Sequence, residues 1–174
     1  MASPEQEARA LLKDAKIHDN PVPVERIAKQ LRARLSFEPF EGNISGMLYR
    51  DGKRTVIGVN SAQANTRQRF TIAHEIGHLR LHRGRPIIVD EVVRVNFRDS
   101  RSSQATDTEE IEANQFAAEL LMPRDLVQQE VKRRASKRGL TSDDWLVEQL
   151  ARAFDVSPQA MEYRLANLGF RLLR

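Results

Sequence analysis

The sequence predicts an α+β fold in which a small, largely antiparallel sheet lies between helical segments. Three observations support this prediction. Apolar residues repeat at helical spacing towards both ends of the chain, β-branched and alternating apolar residues fill the stretch between residues 35 and 59, and Asp51-Gly52 supplies a hairpin turn within that stretch. Helices, then a small sheet, then further helices is the order typical of an α+β domain.

The first part of the chain is predicted to hold two helices and three short strands. Residues 4–17 form the first helix, because Ser3 can cap it and Pro4 suits a first helical turn. Residues 24–31 repeat at helical spacing and form the second. The strands are predicted at residues 35–40, 44–49 and 55–59.

Residues 66–82 carry the clearest helical pattern, with Phe70 and Leu81 on one apolar face and Asn65 or Thr66 as the cap. The segment that follows looks irregular. It contains an apolar stretch at residues 87–95 and a polar tail at residues 99–108 whose role the sequence leaves open.

A helix at residues 109–122, ended by Pro123, opens the last part of the chain. We divide the chain into a core at residues 1–122 and a helical C-terminal subdomain at residues 123–174. The remaining helices are predicted at residues 125–135, 142–154 and 158–168.

Composition limits the chemistry that this chain can carry. Its 174 residues suffice for one compact domain, and the 40% hydrophobic and 30% charged fractions are those of a soluble globular protein. There is no cysteine, so a transition metal would have to be held by histidine, aspartate or glutamate. No apolar run reaches the roughly 20 residues that span a bilayer, and no signal peptide is evident, so we expect a cytoplasmic protein without membrane contact.

Three of the four histidines stand four residues apart, at His74, His78 and His82. Four residues advance a helix by little more than one turn, so neighbouring members of this series share a face and two of them can bind one ion. Glu75 beside His74 can act as a general base, and His74-Glu-Ile-Gly-His78 is the HExxH signature of zincin metallopeptidases.

His82 does not fit the same ion as the other two histidines. His74 and His82 are separated by about 12 Å of helix rise, and Leu79 leaves the pair of His78 and His82 without an adjacent base. We therefore choose His74 and His78 as ligands and assign His82 a supporting or structural role.

A catalytic zinc ion needs a third protein ligand, and the helix at residues 109–122 offers several glutamates. Glu109 and Glu110 both flank its apolar face, so the helical wheel alone does not separate them. Asn114 lies four residues after Glu110 and could hydrogen-bond a metal ligand. We choose Glu110, with Glu109 as the alternative. Zinc suits this ligand set, and manganese or iron can occupy similar ligands.

These residues resemble the ImmA/IrrE metallo-endopeptidases. The resemblance rests on residues 69–78, Arg-Phe-Thr-Ile-Ala-His-Glu-Ile-Gly-His, and on residues 110–123, which run from Glu-Ile-Glu-Ala-Asn to Leu-Met-Pro. It implies that His74, His78 and Glu110 bind zinc and that Glu75 is catalytic. It also implies a bacterial or mobile-element protease that cleaves a transcriptional repressor, often of helix-turn-helix type, and so relieves repression of a stress-response or mobile-element programme.

The strand at residues 55–59 has two interpretations. In resembling zincins an edge strand before the catalytic helix pairs with extended substrate, and such pairing uses main-chain hydrogen bonds. The other interpretation is a covered core strand.

Rival functions rest on the C-terminal part of the chain. Residues 150–165 resemble a helix-turn-helix unit, but Gln159, Glu162, Tyr163 and Arg164 are a thin set for reading a DNA groove, so we favour a packing or docking unit. The alternative to a protease is a DNA-binding regulator or a toxin–antitoxin component with a non-catalytic metal site. An intact Glu75 argues against that alternative.

A basic cluster runs from residue 132 to residue 138. It is either an ordinary solvated helix face or a docking surface for an acidic or DNA-associated partner. The sequence does not fix the oligomeric state.

Overall fold

A computed structural model describes residues 2–82, 86–91, 104–135 and 142–171. Within these ranges it confirms the α+β class. The strands are β1 (Ala33–Glu38), β2 (Ile44–Arg50), β3 (Thr55–Asn60) and β4 (Ile87–Glu91). The helices are α1 (Pro4–Asp14), α2 (Val24–Gln30), α3 (Asn65–Leu81), α4 (Gln104–Leu121), α5 (Arg124–Ala135), α6 (Asp143–Phe154) and α7 (Pro158–Asn167).

The strands form one sheet in the order β1-β3-β2-β4. The predicted hairpin of β2 and β3 is confirmed, and the side chain of Asp51 accepts hydrogen bonds from the backbone N–H groups of Lys53 and Arg54 at 3.0 and 2.8 Å. β2 also pairs antiparallel with β4, while β1 pairs parallel with β3. The sheet is therefore largely antiparallel, as predicted, with one parallel pair.

Two strand predictions are corrected. β3 lies between β1 and β2, so both of its edges are already paired and the substrate-pairing edge interpretation of residues 55–59 is wrong. β4 was not predicted, because its short apolar run shows no clean alternation. It pairs with β2, with Leu48 opposite Ile88, and residues 92–95 of the same apolar stretch lie outside the described residues.

α1 shows the predicted cap. The hydroxyl of Ser3 accepts a hydrogen bond from the backbone N–H of Gln6 at 3.3 Å, and the side chain of Gln6 accepts one from the backbone N–H of Ser3 at 2.9 Å. This reciprocal pair satisfies two backbone donors that a helix start leaves open. The helix ends at Asp14, three residues earlier than predicted.

The predicted cap of α3 is wrong. Ala64 occupies the cap position, and no side chain accepts from the first helical turn. Asn65 instead donates to the carboxylate of Asp155, in the turn before α7, at 3.3 Å.

α3 is the central helix of the fold. Its ten residues from Arg69 to His78 are all buried, so the segment is enclosed on every side and not amphipathic as the sequence pattern suggested. The guanidinium of Arg69 donates to the backbone carbonyls of Val22 and Asp155 at 3.0 and 3.1 Å, which stabilises its charge away from water.

α4 lies directly against α3. A Cβ atom added at Gly77 would stand 3.1 Å from the Cα atom of Ala113 and 3.2 Å from the ring of Phe116, so glycine allows the two helices to approach closely. α4 begins at Gln104, and residues 104–108 of the predicted polar tail therefore belong to this helix. Residues 99–103 lie outside the described ranges.

The C-terminal helices begin with clear caps. Ser142 accepts from the backbone N–H of Trp145 at the start of α6, and Ser157 accepts from Ala160 at the start of α7. Asp155, with a φ of 52°, makes the turn between them. The predicted pair of helices with a short turn is confirmed, and the division of the chain at residues 122 and 123 stays a prediction. Among the described residues no helix is long and apolar enough to cross a bilayer.

A buried ion pair ties the two ends of the chain to α4. Glu119 on α4 is 1% exposed and binds the guanidinium of Arg164 on α7, which also donates to the carbonyl of Met122 at 3.0 Å. Arg9 on α1 reaches the same carboxylate at 3.1 Å. Removing one partner would leave a buried charge without its counter-charge, which would destabilise the fold. These contacts therefore hold α1 and α7 against α4.

Candidate metal centre

His74 and His78 lie one turn apart on α3, as the sequence predicts, and their rings meet. Both residues are 1% exposed, and their Nε2 atoms are 3.0 Å apart. The Nε2 atoms of both imidazoles therefore point to one position between the two rings.

Glu110 reaches this point from α4. One carboxylate oxygen lies 3.2 Å from Nε2 of His74 and the other lies 3.2 Å from Nε2 of His78. The structure thus brings together the three residues that the sequence chose, and it is Glu110 rather than Glu109 that joins the two histidines. The Glu110 side chain is 39% exposed, so the cluster faces solvent on this side.

The three residues fit a zinc ion. Two imidazole nitrogens and one carboxylate oxygen are the donor set of many catalytic zinc sites, and ligands at about 2.0–2.1 Å around a tetrahedral ion would stand about 3.3 Å from each other. The observed separations of 3.0 and 3.2 Å are close to that spacing. The identity of the metal stays a prediction, since manganese or iron accepts similar donors.

The charge of Glu110 is also suited to a cation. Burial raises the pKa of its carboxyl group, but while no metal occupies Nε2 of the two histidines, hydrogen bonds from His74 and His78 and the positive charge of their rings outweigh burial and bring the pKa well below its ordinary value. Glu110 is therefore a carboxylate at neutral pH.

Asn114 supports the first histidine. Its side-chain oxygen lies 3.1 Å from Nδ1 of His74, one helical turn beyond Glu110 on α4. If Nδ1 carries the proton of a neutral imidazole, Nε2 keeps its lone pair for a metal. The contact is the one for which the sequence singled out Asn114.

Glu75 directly follows His74 on α3 and is fully buried. β2 passes close to it at Gly46, where an added Cβ atom would stand 2.3 Å from the methyl carbon of Thr71, 2.8 Å from a carboxylate oxygen of Glu75 and 3.2 Å from the carbonyl of Gly58. A side chain at position 46 would collide with Thr71 and with the carboxylate of Glu75. Glycine therefore keeps the place of Glu75, whose role as a base stays a prediction.

The residues around His82 were only partly foreseen. Its Nδ1 atom lies 2.9 Å from Nδ1 of His78, and its Nε2 atom lies 2.9 Å from a carboxylate oxygen of Glu112. The four-residue spacing of His78 and His82 was the signal for the first contact. Sequence reasoning missed Glu112, because its position on the wheel faces away from the apolar side of α4.

The fold and the site define a class of protein. In this class a helix beside a small sheet carries two histidines, and these could hold a metal ion together with a carboxylate from a neighbouring helix. More particularly, the chain belongs to the Peptidase_M78 family, whose sequence profile, described as the IrrE N-terminal-like domain, matches residues 28–166. This match confirms the resemblance to ImmA/IrrE proteins.

The chain is also similar to a phage protein, "Uncharacterized immunity region protein 2" of Bacillus phage phi105. The two are 34% identical over 82 residues, which is 46% of this chain and 46% of the phage protein. The match thus covers about half the length of each.

Proposed function

We propose that the protein is a zinc-dependent endopeptidase in which His74, His78 and Glu110 hold the metal and Glu75 is the general base. The observation that carries this proposal is the convergence of two histidines of α3 and a carboxylate of α4, with the buried Glu75 directly after His74 in the chain. Membership of a peptidase family supports it.

The residues of the chain divide the chemistry among them. Zinc, when bound, polarises the scissile carbonyl group and makes a bound water more acidic. Glu75 accepts a proton from the attacking water and delivers it to the leaving amine. Asn114 orients the ring of His74, and the exposed side of Glu110 leaves an approach for the peptide.

The proposed substrate is a transcriptional repressor of helix-turn-helix type in the cytoplasm. Family membership supports a protein substrate, and the phage relative is described as a protein of an immunity region. Cleavage in an exposed or partly unfolded connection would separate the DNA-binding part of the repressor and switch on a stress-response or mobile-element programme.

This function is tested with the purified protein and candidate helix-turn-helix repressors from the same genome. We expect about one zinc per chain, a single cut in one of these repressors, loss of its DNA binding, and inhibition by a chelator that added zinc reverses. A protein without bound metal would refute the site. If the protein bound zinc and cleaved unfolded casein but left the candidate repressors intact, the proposed substrate would be refuted while the proposed protease activity would stand.

One of the side chains proposed to contact DNA in the rival function is buried in the structure. Of the four side chains in α7 that could read a groove, Arg164 is buried against Glu119 and the carbonyl of Met122. A recognition helix needs exposed donors for base edges. With Arg164 buried, α7 offers a DNA groove fewer donors than its sequence suggests.

The basic cluster supplies a candidate docking surface. Arg133 and Arg134 on α5 share the carboxylate of Glu130, and the Arg134 side chain is only 16% exposed, whereas Lys132 and Arg133 are exposed. The other basic residues of the cluster, Lys137 and Arg138, lie outside the described residues.

We expect Lys132→Glu/Arg133→Glu to slow repressor cleavage several-fold at low salt, because charge complementarity mainly raises association rates. Zinc content and cleavage of a short peptide should not change. Lys29→Glu/Lys53→Glu is the control, since it makes the same change in net charge at exposed sites elsewhere. Equal repressor cleavage by both double variants would exclude docking through α5.

A further inference from the structure

We propose that His82 and Glu112 position the imidazole of His78 for metal binding, as Asn114 does for His74. Neither residue belongs to the metal cluster itself, so the proposal concerns how that cluster is held. It rests on the proposed function, since a positioned ligand presupposes a metal.

Three contacts in series carry the proposal. Nδ1 of His78 meets Nδ1 of His82 at 2.9 Å, and Nε2 of His82 meets a carboxylate oxygen of Glu112 at 2.9 Å. On its other side, Nε2 of His78 faces Glu110 at 3.2 Å. The ring of His78 is thus held at one nitrogen while the other nitrogen points into the metal cluster.

The direction of these hydrogen bonds follows from the end of the series. A carboxylate only accepts, so Nε2 of a neutral His82 must carry the hydrogen that Glu112 receives. Nδ1 of His82 is then an acceptor, and Nδ1 of His78 must be the donor. That assignment leaves the lone pair of His78 on Nε2, which is the form that binds a metal.

The backbone around His82 is held on both sides. His82 caps the C-terminal end of α3, its N–H donates to the carbonyl of His78 at 3.0 Å, and its own carbonyl accepts from the guanidinium of Arg50 on β2. His82 is buried, whereas the Glu112 side chain is 41% exposed. The ring of His82 therefore connects Glu112 on α4 to His78, the second metal ligand on α3.

His74 and His78 are each contacted at Nδ1, but by different kinds of side chain. Asn114 places an amide oxygen 3.1 Å from Nδ1 of His74, and His82 places a ring nitrogen 2.9 Å from Nδ1 of His78. α4 supplies Asn114 directly and reaches His78 through Glu112. This helix thereby controls the orientation of both histidines as well as providing Glu110.

The competing explanation is that His82 only fills space at the end of α3. His82→Leu tests the two explanations, because leucine fills much of the volume but offers no acceptor to His78. His82→Asn is the matched variant, since its side-chain oxygen can accept near the original position of Nδ1. Zinc affinity is measured by chelator competition, the Co²⁺-substituted proteins are compared by visible absorption, and the stability of the metal-free proteins is measured by thermal unfolding.

We expect His82→Leu to lose about 10- to 100-fold in zinc affinity and to shift the Co²⁺ spectrum, and His82→Asn to recover most of both. A folded His82→Leu protein with wild-type zinc affinity would overturn the positioning role alone. A wild-type protein that binds no zinc would overturn this role and the proposed function together.

Glu112 gives a second test that does not disturb the buried core. Glu112→Ala should lower zinc affinity, and Glu112→Gln, whose amide oxygen can still accept from His82, should lower it less. Asn114→Ala provides the reference for loss of a supporting contact. Unchanged affinity in Glu112→Ala would show that the series ends at His82 and would overturn the part assigned to Glu112.

Discussion

Glu75→Gln is expected to bind zinc like the wild type and to lose about 10²- to 10⁴-fold in peptidase activity, the range that general acid–base catalysis supplies. Glutamine has nearly the same shape as glutamate, so it fits the space that Gly46 leaves beside this fully buried side chain. The amide of glutamine cannot take a proton from the attacking water, however, so it has no proton to deliver to the leaving amine. The loss should appear in kcat for cleavage of the repressor.

The metal measurement separates this effect from damage to the site. Glu75 is outside the group of His74, His78 and Glu110, so zinc content and zinc affinity should stay at wild-type values. Glu109→Gln makes the same chemical change on the neighbouring helix and should leave activity intact. Wild-type activity of Glu75→Gln would exclude Glu75 as the base, and loss of zinc would show that it also supports the metal.

Local spacing explains why the metal cluster could be predicted from the sequence. The i, i+4 spacing of His74 and His78 fixes their shared face on any α-helix, whatever surrounds it. The choice between Glu110 and Glu109 needed a second residue, and Asn114 provided it at the same spacing. The structure places Glu110 against both histidines and Asn114 against His74.

Features that depend on distant parts of the chain could not be predicted in this way. The parallel pairing of β1 with β3 and the edge position of β4 are set by packing between segments, and a short apolar run does not reveal them. The burial of residues 69–78 of α3 on every side likewise depends on what covers them, so the polar residues of this segment suggested an exposed face that the structure does not show.

Glu112 shows the same limit within the site. Its contact with His82 depends on how α4 crosses α3, and Gly77 sets how closely the two helices approach. A helical wheel describes one helix at a time. It could therefore find Asn114 from its i, i+4 spacing to Glu110, but Glu112 has no such spacing to a chosen ligand on its own helix, and only the packing of α4 against α3 reveals its contact with His82.

Removal of the third ligand should have the other large effect. Glu110→Ala takes away the carboxylate that lies 3.2 Å from Nε2 of both histidines, and two imidazoles alone leave a zinc ion with too few protein ligands. We expect a loss in zinc affinity greater than the roughly 10- to 100-fold typical of supporting residues, and peptidase activity lost with the metal. A His74→Ala/His78→Ala protein defines the value for an absent site.

Glu109→Ala is the matched control for this prediction, because it removes the same group one residue earlier on α4 but outside the cluster of ligand atoms. Zinc affinity by chelator competition should rank the wild type and Glu109→Ala together, Asn114→Ala below them, and Glu110→Ala lowest. Addition of excess zinc should restore cleavage to Asn114→Ala, whose three ligands remain, far more readily than to Glu110→Ala. If Glu109→Ala were instead the damaging change, the carboxylate that completes the site would be Glu109, and α4 would be turned by one residue from the arrangement described.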